Sequence, residues 1–285
     1  MTVEVAPAGL FDGLFDDAAL FPPGDAPMAA AVPAHRGLRR ALGALVGPFV
    51  VPAGRLGELT DHLDDGPVLE LSLIAAAADL PAAAARVAAE PRLTLAAVEV
   101  PVVPDRVAAR AAVQVLGAVL PPPVPAAVEL PRGPARAEVL DVLAGTWYRA
   151  KLRTGGLRAE LFPDEAELAG ALAACTRRGV PVKCTAGLHH AVRHTDPATG
   201  FEHSGFLNVL VAADALAGGA DADLAAGWLA ERDPAVLVAA VRDWPPSQAR
   251  RARTAFTSFG TCSVQEPVDD LVTLGLLPSP ERMPA

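Results

Sequence analysis

Residues 93–120 read LTLAAVEVPVVPDRVAARAAVQVLGAVL. The stretch opens as a β-like run, Leu93–Val102, apolar on both faces except at Glu99. It breaks at Pro104-Asp105, a helix-start signal, and continues to Val119 with apolar residues at helical spacing. A strand that is apolar on both faces has to be covered on both, the condition met by a parallel sheet flanked by helices.

The same unit recurs in both directions along the chain. Strand-like runs lie at Phe49–Ala53, Val68–Ile74, Ala126–Pro131, Trp147–Arg153, Val180–Thr185 and Ala255–Cys262. Helical periodicity fills Gly54–Asp65, Ala75–Glu90, Pro134–Ala144 and Pro163–Arg178. Seven or eight such runs predict an α/β chain closed into a TIM-like (β/α)8 barrel, irregular around the sixth and seventh units. It is expected to be one domain over residues 1–285. No GxGxxG follows the first strand, which counts against a doubly wound open sheet. Gly205–Ala217 (GFLNVLVAADALA) reads equally well as the seventh strand or as a helix. Ala222–Val241 reads as helical, and Val268–Leu277 as a closing amphipathic helix. Residues 1–45 are expected to be an N-terminal extension, with FDDAALFPPG (Phe15–Gly24) a loop covering one barrel mouth and Asp16 and Asp17 either closing over the site or, the preferred reading, solvated loop charges.

Composition narrows the function classes. The net charge of −9, without a basic run, counts against nucleic acid as a partner. Three cysteines without CxxC spacing fit a reducing cytoplasm. The acidic start from Glu4 is unlike a signal peptide, and the longest uncharged stretch, Ala111–Val128, carries four prolines and cannot span a membrane. A cytoplasmic protein is expected, with no membrane partner and a homo-oligomer left open.

Only Lys151 and Lys183 are lysines; every other residue of the 24 basic ones is arginine. Against that bias, a retained lysine marks work that arginine cannot do, because only lysine readily loses its proton and attacks a carbonyl. Charges also interrupt the strand-like runs, at Glu70, Glu99, Glu129, Lys151, Arg153 and Lys183, mostly between apolar neighbours. Alternation along a strand turns the apolar flanks toward outer helices and the charges toward the barrel axis. Burying charge is costly enough that such a ring reads as functional.

KLRTGG (Lys151–Gly156) puts Lys151 and Arg153 on one face, followed by Gly155 and Gly156, where backbone can approach an anion. VKCTAGLHH (Val182–His190) puts Lys183 and Thr185 on one face and then delivers His189 and His190. VKCTAG resembles the V-K-T-S-T-G strand end of class I aldolases of the deoxyribose-phosphate aldolase type, which are also (β/α)8 barrels. KLRTGG is similar to that family's second strand-end lysine before Gly-Gly. The resemblance implies a Schiff base at Lys183, with Lys151 as the second lysine. The two motifs stand here in reversed order, and Glu99 or Glu129 occupies the place of the family's aspartate.

These readings converge on an enzyme for a small anionic carbonyl-type metabolite, with lyase (aldolase-like) or isomerase chemistry through a strand-end lysine and no cofactor. Lys151 and Arg153 are expected to lower the pKa of Lys183 and leave a neutral amine. Glu99, Glu129 and His189 or His190 would move protons, and Lys151 and Arg153 would hold the anion. Gly155, Gly156, Thr185, Asn208 and Gly260 are the further substrate-binding candidates. One alternative is a divalent-metal lyase or hydrolase (Zn²⁺ or Mg²⁺/Mn²⁺) using His190 and His194, on one helical face at i,i+4, with His203 and the inward glutamates. Another is a non-catalytic barrel that binds a ligand. Cys262 has no partner histidine identifiable in the sequence, and a buried free thiol is the commoner state.

Overall fold

The structure is a computed structural model and describes residues 6–278. Its eight barrel strands are parallel and closed: β1 (Phe15–Asp17), β2 (Val46–Pro52), β3 (Leu69–Ile74), β4 (Leu93–Val100), β5 (Ala126–Glu129), β6 (Arg149–Arg153), β7 (Val182–Thr185) and β10 (Phe256–Thr261). The intervening helices are α1 (Met28–Leu42), α2 (Leu56–Asp61), α3 (Leu80–Ala89), α4 (Arg106–Val119), α5 (Ala135–Leu143) and α6 (Glu165–Thr176), and α11 (Gln265–Thr273) closes the chain. This is a (β/α)8 barrel of the TIM type. No helix among the described residues is long and apolar enough to cross a membrane.

The helix starts follow the local chemistry. Asp105 caps α4 by accepting from the Ala108 N–H at 2.8 Å, and Asp164 caps α6 from the Glu167 N–H at 2.7 Å. The core lies between the outer face of the sheet and the helices, where Phe15, Phe49, Leu71 and Phe259 are fully buried. Phe15, Phe259 and Phe206 form a triangle with ring centroids 5.4–5.6 Å apart, edge-on or stacked, which ties β1 to β10 where the barrel closes.

One expectation is corrected. The segment read as a mouth-covering loop begins with the first barrel strand, since Phe15–Asp17 pairs with both β10 and β2. Residues 15–45 therefore supply the first βα unit rather than an extension; residues 1–5 lie outside the described part. Three residues are too few to show an alternating pattern, so the acidic and proline-rich surroundings dominate the reading. Ala222–Val241 is helical, in two pieces, α8 (Ala222–Ala230) and α9 (Pro234–Arg242), because Asp233-Pro234 starts a new helix.

The ambiguous stretch resolves as a helix, α7 (Phe206–Ala217), and α10 (Pro246–Ala255) follows α9. Between β7 and β10 there are thus a two-stranded hairpin, β8 (His194–Thr195) with β9 (Glu202–His203), and four helices. The irregular unit is the one after the seventh strand. Almost every residue of α7 is buried, packed by α6, α8, α9, α10 and β10, which is why its pattern is apolar all round and carries no period.

Candidate active site

Barrels of this kind usually fill their interior with bulky branched residues. Here much of the inner layer is polar or small. Residues facing the axis include Asp16 (β1), Ser72 (β3), Ala97 and Glu99 (β4), Ala127 and Glu129 (β5), Lys151 (β6), Lys183 (β7) and Ser258 (β10), all buried or half-buried. Their apolar neighbours Val98, Val128, Ala150 and Cys184 face outward into the core. The alternation read from sequence holds for Glu99, Glu129, Lys151 and Lys183.

These charges form one chain of alternating sign. Ser258 Oγ donates to Asp16 at 3.0 Å, and Asp16 pairs with the Lys183 ammonium. Lys183 Nζ also lies 2.5 Å from Glu99 Oε1, which accepts from Ser72 Oγ at 2.8 Å. The other oxygen of Glu99 is 3.1 Å from Lys151 Nζ, and Lys151 reaches Glu129 at 2.9 Å. Arg153 ends the chain, with its Nε 3.1 Å from Glu129 and its side chain 40 % exposed at the carboxyl-terminal rim. Three carboxylates and three cations so alternate from the middle of the barrel to its surface. A Cβ at Gly47 would collide with the Asp16 carboxylate, so glycine makes room for it.

Two memberships differ from expectation. Glu70 is outside the chain, 46 % exposed and 3.1 Å from Arg39 of α1, because it lies at the amino-terminal end of β3. Asp16 takes its place; its signal was the apolar Leu14-Phe15 before it, outweighed by the Pro22-Pro23 that follows. Asp17 points the other way and ties β1 to α1 through His35 Nδ1 at 2.9 Å, with both side chains buried.

The electrostatics correct the expected neutral amine. Burial alone disfavours the Lys183 ammonium, but the Asp16 and Glu99 carboxylates outweigh it and hold the pKa above the ordinary lysine value. Lys151 and Arg153 face their own carboxylates instead of repelling Lys183. Burial pushes Glu99 up, yet the ammonium groups of Lys183 and Lys151 together pull it down to about 2. For Asp16 burial dominates over Lys183, and the pKa is raised. One ammonium thus serves two carboxylates that are driven in opposite directions.

A cavity of about 240 Å³ lies against Asp16, Glu99, Lys183 and Ser258. It reaches the amino-terminal rim of the barrel, at Gly13, Pro125, Arg149 and Arg253. The sequence reading put ligand contacts at the carboxyl-terminal ends of strands, and none of Arg153, Gly155, Gly156, Thr185, Gly260 or Asn208 lines this cavity.

Those residues have other surroundings. The two lysine motifs interlock on neighbouring strands, with Thr154 Oγ1 donating to the Ala186 carbonyl. A Cβ at Gly155 would come within 2.7 Å of Gly187 Cα and of Phe162, so the glycine allows backbone to approach backbone. A Cβ at Gly156 would meet the Leu161 side chain instead. Gly260 sits near Thr185 and Ala18. Asn208 is fully buried, donating to the Trp228 and Glu231 carbonyls at 2.8 and 2.7 Å and accepting from the Arg193 N–H at 2.9 Å. Its polar contacts join α7 to α8 and to the hairpin.

The histidines lie at the carboxyl-terminal side, away from the interior chain. His189 Nδ1 is 2.8 Å from Glu266 and His190 Nδ1 is 3.1 Å from Asp270, both acids on α11. His190 and His194 are not on one helical face, since loop and hairpin hold them. Their rings nonetheless touch, with centroids 4.7 Å apart, and His194 and His203 are 5.2 Å apart. Nδ1 of His194 and of His203 faces a backbone carbonyl, Val192 and Gly187 respectively. Among the described residues no three His, Cys, Asp or Glu side chains are grouped so as to hold a metal ion. Cys262 does have a histidine beside it, with Sγ 3.9 Å from both ring nitrogens of His189. Burial, then Glu266, pushes its thiol up to about 11, which keeps it protonated at neutral pH.

No family model, curated protein or solved structure matches this chain.

Proposed function

We propose that the barrel interior is the reaction centre of a lyase- or isomerase-type enzyme that moves protons on a small anionic carbonyl compound. One observation carries this reading: Asp16 and Glu99 share the Lys183 ammonium beside a cavity, with their pKa values driven in opposite directions. Paired groups divided in this way serve as acid–base machinery in enzymes.

In this reading Asp16 takes the proton from the carbon next to the substrate carbonyl. The C–H electron pair becomes a C=C bond, and the carbonyl oxygen takes the negative charge. Lys183, kept an ammonium by Glu99, donates a hydrogen bond to that oxygen. Where the α-carbon carries a hydroxyl, the proton of that hydroxyl passes to the enolate oxygen, the abstracted proton returns to the former carbonyl carbon, and the α-carbon becomes the new carbonyl, which completes an isomerisation. In a lyase, Asp16 instead removes the proton of a β-hydroxyl, the Cα–Cβ bond breaks, and the same enolate forms. Ser258 and Ser72 hold the two carboxylates in register.

An imine at Lys183, the chemistry implied by the aldolase resemblance, needs a free electron pair on Nζ. Two carboxylates against that nitrogen favour its proton staying, so the lysine is assigned as an electrostatic catalyst.

The test is deuterium uptake from D₂O, followed by NMR, with small 2-oxo acids and phosphorylated hydroxycarbonyl compounds as substrates. The wild type is expected to exchange the α-hydrogen of at least one class, and Asp16→Asn to abolish that exchange. Borohydride added during turnover should leave Lys183 unmodified. Absence of exchange across both classes, undiminished exchange in Asp16→Asn, or a reduced adduct on Lys183 would each overturn the proposal.

A further inference from the structure

Arg149 and Arg253 stand at the amino-terminal rim of the cavity and take no part in the interior chain. Arg149 is the first residue of β6, two before Lys151, and so faces the axis one layer below it. Arg253 is on the last turn of α10, with Nη1 donating to the Phe256 carbonyl at 3.1 Å and Nη2 to the Asp12 carbonyl at 2.9 Å. Those two bonds fix its plane and use no counter-charge.

Both guanidiniums are half-buried, and neither has a carboxylate ion-pair partner among the described residues. The nearest interior acid, Asp16, is already engaged by Lys183. Burial lowers both pKa values, that of Arg253 to about 10, and Arg149 is one of the charges depressing Arg253. Two like charges side by side in a partly dry cleft repel and are desolvated at a cost. Several arginines elsewhere are paired, as Arg55 is with Glu58 and Arg251 with Asp214. Arg40, Arg86, Arg110, Arg177 and Arg250, without a carboxylate partner among the described residues, are exposed to solvent, whereas Arg149 and Arg253 are half-buried at a cavity. Along the cavity wall three cations face two carboxylates, leaving surplus positive charge. Apart from the hydroxyls of Thr257 and Ser258, the remainder of the lining is small and apolar, including Pro48, Ala97, Ala127 and Pro125.

We propose that Arg149 and Arg253 form an oxyanion clamp, so that a small ligand enters from the amino-terminal end of the barrel with its carboxylate or phosphate on the two guanidiniums. Planar guanidiniums match such groups with paired hydrogen bonds. The cavity is below the roughly 300–1,000 Å³ that holds drug-sized ligands, so the occupant is a compact metabolite. Its far end would lie against Lys183 and Asp16. That last assignment rests on the reading of the interior as a reaction centre; the clamp itself does not.

The probes are inorganic phosphate and malonate, one for each anion source, measured by calorimetry on the full chain at low ionic strength. Millimolar binding of at least one is expected, and the one bound more tightly names the headgroup. Arg149→Ala and Arg253→Ala should each weaken it about tenfold, as loss of one charged hydrogen-bonding partner does. Arg158→Ala, at an arginine 70 % exposed elsewhere on the surface, should leave binding unchanged. Asp16→Asn should keep or strengthen binding while losing deuterium exchange, which separates the clamp from the chemistry. Should either arginine variant fail to fold, the wild type suffices: the bound anion should protect Arg149 and Arg253 from phenylglyoxal. Failure of both anions to bind, unchanged affinity in the folded arginine variants, or absence of protection would overturn the clamp. Intact exchange alongside such a failure would leave the reaction centre standing.

Discussion

Lys183 Nζ and Glu99 Oε1 meet at 2.5 Å across the barrel, from β7 to β4. Contact at this depth, between side chains 3 % and 2 % exposed as residues, fixes the lysine as a charge. It also makes Glu99 the hinge of the interior chain, since its second oxygen holds Lys151.

Removing the charge of Lys183 should unbalance the centre of the barrel. Lys183→Met leaves Asp16 and Glu99 buried with less compensation, a change that costs about 3–5 kcal/mol. Urea unfolding should show that loss, and adding Asp16→Asn should restore part of it. A loss within the ~1 kcal/mol of an exposed pair would contradict the burial of the network.

Acid should act through Glu99. Its folded-state pKa is lowered from 4.5 to about 2, so its contribution is present above the unfolded value and disappears as pH falls from 4.5 toward 2. Asp16 has the opposite sign: its raised pKa favours the folded state at low pH and weakens it as pH rises through the folded value. Glu99→Gln should therefore lower stability at neutral pH and flatten the acid limb between pH 4.5 and 2 in urea titrations. An acid limb as steep as that of the wild type would be the contrary result.

Asn208 should matter to stability and leave ligand binding alone. Asn208→Ala removes three buried hydrogen bonds and orphans two carbonyls and an N–H. At about 1–3 kcal/mol for an unsatisfied buried group, a lower melting temperature with unchanged phosphate or malonate affinity is expected. Weaker anion binding by the folded variant would return Asn208 to the ligand site.

Cys262 should alkylate slowly. With its thiol pushed up to about 11, the rate with iodoacetamide should still be rising at pH 10. A plateau near neutral pH would instead mark a thiolate activated by His189.

Much of the barrel is legible in the sequence because strands covered on both faces show themselves as apolar runs between capped helices, as Leu93–Val119 does. Four interior charges can be read for the same reason, each lying within such a run. Asp16 escapes because its strand is three residues long, and α7 because burial on every side erases its period. Arg149 lies inside the Trp147–Arg153 run but is not among the charges singled out there; only the fold shows that it shares a cavity with Arg253, 104 positions later in the numbering of the chain. The glycines of KLRTGG mark close approach correctly, but the approaching partner is the Gly187 backbone at Gly155 and the Leu161 side chain at Gly156.

Because the chain holds only two lysines, carbon-13 at the ε-methylene positions yields two signals, and Lys183→Arg assigns them. Titration by NMR from neutral pH upward asks directly whether residue 183 keeps its proton. The Asp16–Lys183–Glu99 arrangement predicts no titration of that signal until the pH passes the ordinary lysine value of 10.5. A midpoint near neutrality would mean a free amine at the barrel axis and would contradict the ion-paired centre.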